Sequence, residues 1–133
     1  MTDYLLDTNH MSEAIRKVST LRYRIRQARG SGSRFGTCWP VLCELEAGIL
    51  QTADPEGCRR TLHGLLKEVR IWPLDWDVVH IYGQLFNRMK EKGRALSHVD
   101  LVLAAMATHM VVTVLTADKD FEATPEINTE NWV

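Results

Sequence analysis

The sequence predicts an α/β fold, a three-layer arrangement with a central, mostly parallel sheet flanked by helices. Two observations carry this. Short apolar runs of strand length recur along the chain, and a helical pattern separates each from the next; strands joined through helices pair in parallel. The 133 residues also contain no repeat, low-complexity tract or linker, so residues 1–133 are expected to form one domain around one core.

The elements follow in order. Residues 3–7 read as a short buried strand. Thr8 or Asn9 can cap a helix over roughly 10–17, and a second helix covers roughly 19–29. Gly30-Ser31-Gly32-Ser33 is a loop before a strand at 34–38. Pro40 suits the first turn of a helix from Trp39 to about Leu50. Asp54-Pro55-Glu56 opens another helix, with Asp54 as its cap. Residues 69–74 read as a strand with Pro73 near its end. An amphipathic helix spans about Trp76 to Lys92 and stops at Gly93. Its Val79, Tyr82, Leu85, Phe86 and Met89 share a face that suits the core, and part of that stripe could serve a homodimer seam. Trp72 and Trp76 are expected in the core. A very apolar helix around Asp100, a strand at 111–116 and a short strand near 127–132 complete the chain.

Composition excludes some classes. No apolar run approaches eighteen residues, so no membrane-spanning helix is expected. Asp3 and Asp7 make the N-terminus unlike a signal peptide. Cys38, Cys43 and Cys58 are odd in number and lack metal-type spacing, which fits a reduced, cytoplasmic protein. The net charge of −1 hides an asymmetry: from Ala14 to Cys43 there is no acid but seven bases. Within that stretch Arg22, Arg26 and Arg29 share one helical side and are candidate contacts for a phosphate backbone. A solvated helix face and a dock for an acidic segment of a partner are the competing readings.

Four acids stand where charge is costly. Asp7 closes the first strand, Glu44 interrupts an apolar helical run, Asp100 lies in Val99-Asp100-Leu101-Val102-Leu103-Ala104-Ala105, and Asp118 follows the strand ending at Thr116. Carboxylates are rarely buried unless paired or bound to a cation. Ligands in parallel sheets sit beyond the carboxyl ends of the strands, where Asp7 and Asp118 fall. Singly, each acid has a plain explanation: Asp7 as a helix cap, Asp118 as a turn residue, Glu44 as a solvated helix position. Together they suggest one cation site suited to Mg²⁺ or Mn²⁺. The histidines show no metal spacing; His10 and His98 neighbour Asp7 and Asp100 in sequence, with packing the simpler role for both.

Leu5-Leu6-Asp7-Thr8-Asn9, Glu44-Leu45-Glu46-Ala47-Gly48, Asp100 before Ala104-Ala105, Leu115-Thr116-Ala117-Asp118-Lys119-Asp120-Phe121 and the closing Glu130-Asn131-Trp132 resemble, in this order, the PIN-domain ribonucleases, specifically the VapC-type toxins of prokaryotic toxin–antitoxin pairs. Leu103 stands where the family's Asp-x-x-Ile-Ala-Ala helix has isoleucine. The resemblance implies a PIN-like sandwich and a Mg²⁺- or Mn²⁺-dependent endoribonuclease neutralised by a cognate antitoxin. It implies Asp7, Glu44 and Asp100 as ligands of the principal ion, with Asp118 completing the site, and Thr8 and Thr116 positioning water or phosphate. Water attack would leave a 5′-phosphate and a 3′-hydroxyl. Asp118 and Asp120 share one turn, and the spacing from Thr116 favours Asp118. A homodimer or a hetero-oligomer with the antitoxin is the expected assembly.

The alternative is a catalytically silent PIN-like domain that binds RNA or a protein. Phosphoryl-transfer folds with strand-end aspartates fit less well, because no Asp-x-Asp follows the first strand. If the basic stretch tracks phosphates, charge reversal at Arg22 and Arg26 should weaken RNA binding and flatten its salt dependence. Unchanged affinity across a salt series would assign the stretch to the antitoxin or to solvent.

Overall fold

Every β-strand in this chain is parallel to its neighbours, in the order β3-β2-β1-β4-β5. A computed structural model describes residues 1–133. In chain order the elements are β1 (Tyr4–Leu6), α1 (Thr8–Ala14), α2 (Thr20–Gly30), β2 (Phe35–Thr37), α3 (Trp39–Ile49), α4 (Pro55–Leu65), β3 (Val69–Ile71), α5 (Trp76–Glu91), α6 (His98–Met110), β4 (Thr113–Leu115), a 3₁₀ turn (Lys119–Ala123) and β5 (Thr129–Glu130). Tyr4 faces Phe35 on one side and Thr113 on the other, which places β1 at the centre.

The strand order fixes the layers. Parallel crossovers are right-handed. The steps β1 to β2 and β2 to β3 run in one direction, so α1 to α4 cover one face. The step from β3 to β4 runs back across the sheet, so α5 and α6 cover the other. The direction therefore reverses between β1 and β4, which opens a crevice at their carboxyl ends.

The core lies on both faces of the central strands. Leu5, Leu6, Val114 and Leu115 are fully enclosed, as are Leu103, Ala104, Ala105 and Met106 of α6. Continuous apolar runs are what a strand or helix buried on all sides requires. No helix is long and apolar enough to cross a membrane.

Several boundaries differ from the sequence reading, each for a local reason. The first helix starts at Thr8 rather than near residue 10, because the cap is Asp7: its side chain accepts from the His10 N–H. It ends at Ala14, whose carbonyl is taken at 2.7 Å by the Arg22 guanidinium. The helix around Asp100 continues to Met110, where Val111 turns it off with a left-handed φ of 56°. The following strand accordingly begins at Thr113. β5 is shorter than expected, and Trp132 lies beyond it. On α5 the enclosed residues are Val78, Leu85 and Met89, while Val79 and Phe86 face outward. Trp76, expected in the core, is 75% exposed at the start of α5; Trp72 does pack against the core.

Trp72 exploits a glycine. A Cβ on Gly36 would meet the indole Cδ2 at 2.1 Å, so the ring lies directly on the β2 backbone. Gly36→Ala should therefore displace the indole and destabilise the fold by about 1–3 kcal/mol, as overpacking does. Urea denaturation measures this, and an unchanged midpoint would mean that Trp72 is free to move aside.

Candidate active site

The two strand-end acids are set by the sheet. The Asp7 N–H bonds the Leu115 carbonyl at 3.1 Å, which ties the residue after β1 to the last residue of β4. Its side chain, 5% exposed as a residue, caps α1: Oδ1 accepts from the His10 N–H at 2.8 Å and lies 3.1 Å from His10 Nδ1. Across the crevice the chain leaves β4 through Thr116, whose hydroxyl accepts the Asp118 N–H at 3.0 Å. Asp118 Oδ1 then accepts the Asp120 N–H at 2.8 Å and caps the 3₁₀ turn. Both aspartates thus do the ordinary work of caps through Oδ1.

The helical acids come from opposite faces. Glu44, on α3, is held by Thr8, whose hydroxyl donates to Oε1 at 2.5 Å. It is exposed, so only three of the four acids pay the burial cost inferred from sequence. Glu46, two residues on, faces elsewhere: the Arg59 guanidinium binds it at 2.5 Å and holds its carboxyl below the usual range. Asp100 lies in the first turn of α6, its N–H bonded to the Ser97 capping hydroxyl at 3.1 Å. Burial pushes its carboxyl up to about 6 against the opposing effect of the Ser97 contact, and the neighbouring charges of Asp118 and Asp7 add to the rise.

Asp7, Thr8, Glu44, Asp100 and Asp118 line one cleft of about 420 Å³ together with Asn9, Ser97 and Asp120. None of the lining residues is apolar. Asp118 and Asp120 both reach it, Asp118 the more enclosed of the two. Thr116 does not line it and acts through the turn. Sequence reasoning passed over Asn9 and Ser97; Asn9 sits inside the Asp-Thr-Asn run, and Ser97 had only its capping position to mark it.

An all-oxygen, multiply acidic donor set fits a hard divalent cation. Like charges without a counter-ion hold apart, and no three of these carboxylates bring ligand atoms within 4.8 Å of one another. Mg²⁺ retains several waters and needs few protein ligands, so an open cleft remains compatible with it. The one tight trio is Asp75, Asp77 and His109. These residues are exposed, Asp75 Oδ1 caps α5, and a cation there would face a helix N-terminus. His109 and Asp100 are separated by roughly 13 Å along α6 at 1.5 Å per residue, so this trio belongs to the opposite end of the molecule.

The structure does not bring the candidate RNA arginines to the cleft. Arg22 donates to the Ala14 and Arg16 carbonyls at 2.7 and 2.8 Å, closing the end of α1. Arg26 pairs with Glu68 at 2.9 Å. Arg26 and Arg29 line a polar cleft with Arg34 and Glu68, at the edge where β2 and β3 begin. Arg29 is the cleaner position for charge reversal, since Arg22 also supports the fold. Of the two histidines near the acids, His98 contacts Tyr82, whereas His10 touches Asp7.

Comparison with known proteins adds a family. The PIN domain profile matches residues 4–127. Ribonuclease VapC2 of Rickettsia felis is 27% identical over 130 residues, covering 97% of each chain. Ribonuclease VapC5 of Mycobacterium tuberculosis is 30% identical over 92 residues, 68% of each chain. The crystal structure of VapBC2 from Rickettsia felis, bound to a DNA fragment from its promoter, superposes with a TM-score of 0.88 at 26% identity, over 99% of this chain and 100% of that one.

The raised Asp100 carboxyl gives a pH signature. Between its ordinary 3.8 and about 6 the folded state retains a proton that the unfolded state has released. Its stabilising contribution is therefore full below that window and lost as pH rises through it. In chelator, wild type should lose thermal stability relative to Asp100→Asn as pH rises through this range. Parallel Tm profiles for the two proteins would show that Asp100 is not held in its protonated form.

Proposed function

The chain belongs to the PIN domain family, and from that premise we propose that it is a Mg²⁺- or Mn²⁺-dependent endoribonuclease, the toxin of a VapC-type pair neutralised by its antitoxin. The observation that carries this reading is the single cleft lined by Asp7, Glu44, Asp100 and Asp118 and no apolar residue. The resemblance to proteins named as VapC ribonucleases, and to a VapBC complex over nearly the whole chain, supports both the activity and the partner.

In this reading the four acids hold the cation. The bound ion supplies positive charge against the phosphodiester and lowers the pKa of water. The residues of the chain do the positioning. Thr8 fixes Glu44 through its 2.5 Å hydroxyl bond, and Thr116 fixes the turn that presents Asp118. Asn9 and Ser97, neutral and on the same cleft, offer hydrogen bonds to the non-bridging oxygens of a phosphate. Water attacks phosphorus, the bond to the 3′ oxygen breaks, and a proton passes to that oxygen, giving a 5′-phosphate and a 3′-hydroxyl. Arg22, Arg26 and Arg29 enter only as outlying phosphate contacts for an RNA that extends past the sheet.

Purified protein freed of any partner should cut total RNA into discrete fragments in Mn²⁺ or Mg²⁺ and not in chelator. Asp7→Ala and Asp100→Ala should abolish the fragments while the far-ultraviolet circular dichroism stays native. Full activity in a folded Asp100→Ala protein would remove the metal-site reading.

A further inference from the structure

His10 is completely enclosed. A buried imidazole is costly unless both ring nitrogens find partners, and here both do. Nδ1 lies 3.1 Å from Asp7 Oδ1, and Nε2 accepts the backbone N–H of Trp132 at 3.1 Å. A peptide N–H can only donate, so Nε2 carries no proton, and in the neutral ring the hydrogen sits on Nδ1, directed at Asp7. The cap of α1 does not need this contact, because the His10 backbone N–H already supplies it at 2.8 Å.

The far end of the connection is equally built. The Trp132 indole packs on Tyr4 and Phe35, with ring centroids 4.8 and 5.8 Å away, and the Arg24 guanidinium sits 3.8 Å above it. These contacts seat the last residues of the chain against the first two strands. That seating presents the N–H that sets the tautomer of His10.

We propose that His10 is a positioning residue for Asp7, carrying the docking of the C-terminal Trp132 into the orientation of the first metal-binding carboxylate. The proposal rests on the reading of the cleft as a cation site. With Oδ1 held by two donors from one residue, the carboxylate cannot rotate freely, and Oδ2 remains for the ion. Partners of this kind behind a ligand orient it and raise its affinity.

The test measures Mn²⁺ binding to the full-length protein by isothermal titration calorimetry. Wild type and Asp7→Ala come first: absence of Asp7-dependent binding overturns the cation-site reading and this inference with it. Given such binding, His10→Leu keeps the core filled and removes both ring bonds. It should bind Mn²⁺ at least ~10-fold more weakly, the scale seen when such partners are lost, with a Tm no lower than a few degrees below wild type. His10→Asn, whose amide can stand near the Nδ1 position, should recover most of the affinity. Wild-type Mn²⁺ affinity in folded His10→Leu would overturn the role of His10 and leave the cation site standing. Should His10→Leu fail to fold, nitrogen-15 spectra of the wild-type ring decide: a proton on Nδ1 is required, and a proton on Nε2 overturns the proposal.

Discussion

The crowding of like charge at the carboxyl ends of β1 and β4 is the constraint around which the rest of this structure is organised. Carboxylates that share a small cleft repel one another, and Asp100 registers that crowding together with its burial. The protein answers by holding one oxygen of each of three acids on a fixed donor: Asp7 on the first turn of α1, Glu44 on Thr8, Asp118 on the turn after β4. The donors to Asp7 and Asp118 lie within three residues of their acid, whereas Thr8 reaches Glu44 across 36 residues because α1 packs on α3.

This division of labour explains why residues that look like ordinary caps can also line the cleft. A cap uses one carboxylate oxygen. Asp7 follows β1 directly and caps α1, Asp118 lies three residues past β4 and caps the 3₁₀ turn, and both border the cleft, so its geometry follows from that of the two turns beyond the strands. The molecule is also polarised. Acids converge where the strands end, whereas Arg26, Arg29 and Arg34 gather where β2 and β3 begin, with Glu68 among them. Part of the asymmetry of charge noticed along the sequence is therefore an asymmetry between two ends of one sheet, although Arg16 of the same stretch lines a neighbouring pocket with Thr8, Asn9 and Glu44.

The acids were legible because they broke a pattern: a charge at the close of a buried strand, or inside α6, contradicts its surroundings. Glu44 stood out because it interrupts the apolar run of α3, yet the position it occupies is exposed, so for this acid the burial argument does not hold. Glu46, two residues away and chemically identical, is drawn off by Arg59, thirteen positions distant in sequence. Periodicity likewise gave the right helix for α5 and placed Leu85 and Met89 on its buried face, but Val78 is enclosed where Val79 and Phe86 were expected, because packing against α6 chooses the stripe.

What the sequence by itself determined was the alternation of strand and helix, hence the parallel sheet, and the placing of two aspartates at strand ends, because both follow from local rules of propensity and capping. What only the tertiary structure decided was everything that joins distant segments. The reversal of strand order between β1 and β4 sets α3 and α6 on opposite faces, so that Glu44 and Asp100 meet above it. The link from Trp132 to His10, 122 residues apart, turns a histidine that looked like packing into a contact of Asp7. A hydrogen bond between residues so far apart leaves no periodic trace in a sequence, since only the tertiary fold brings its donor and acceptor together.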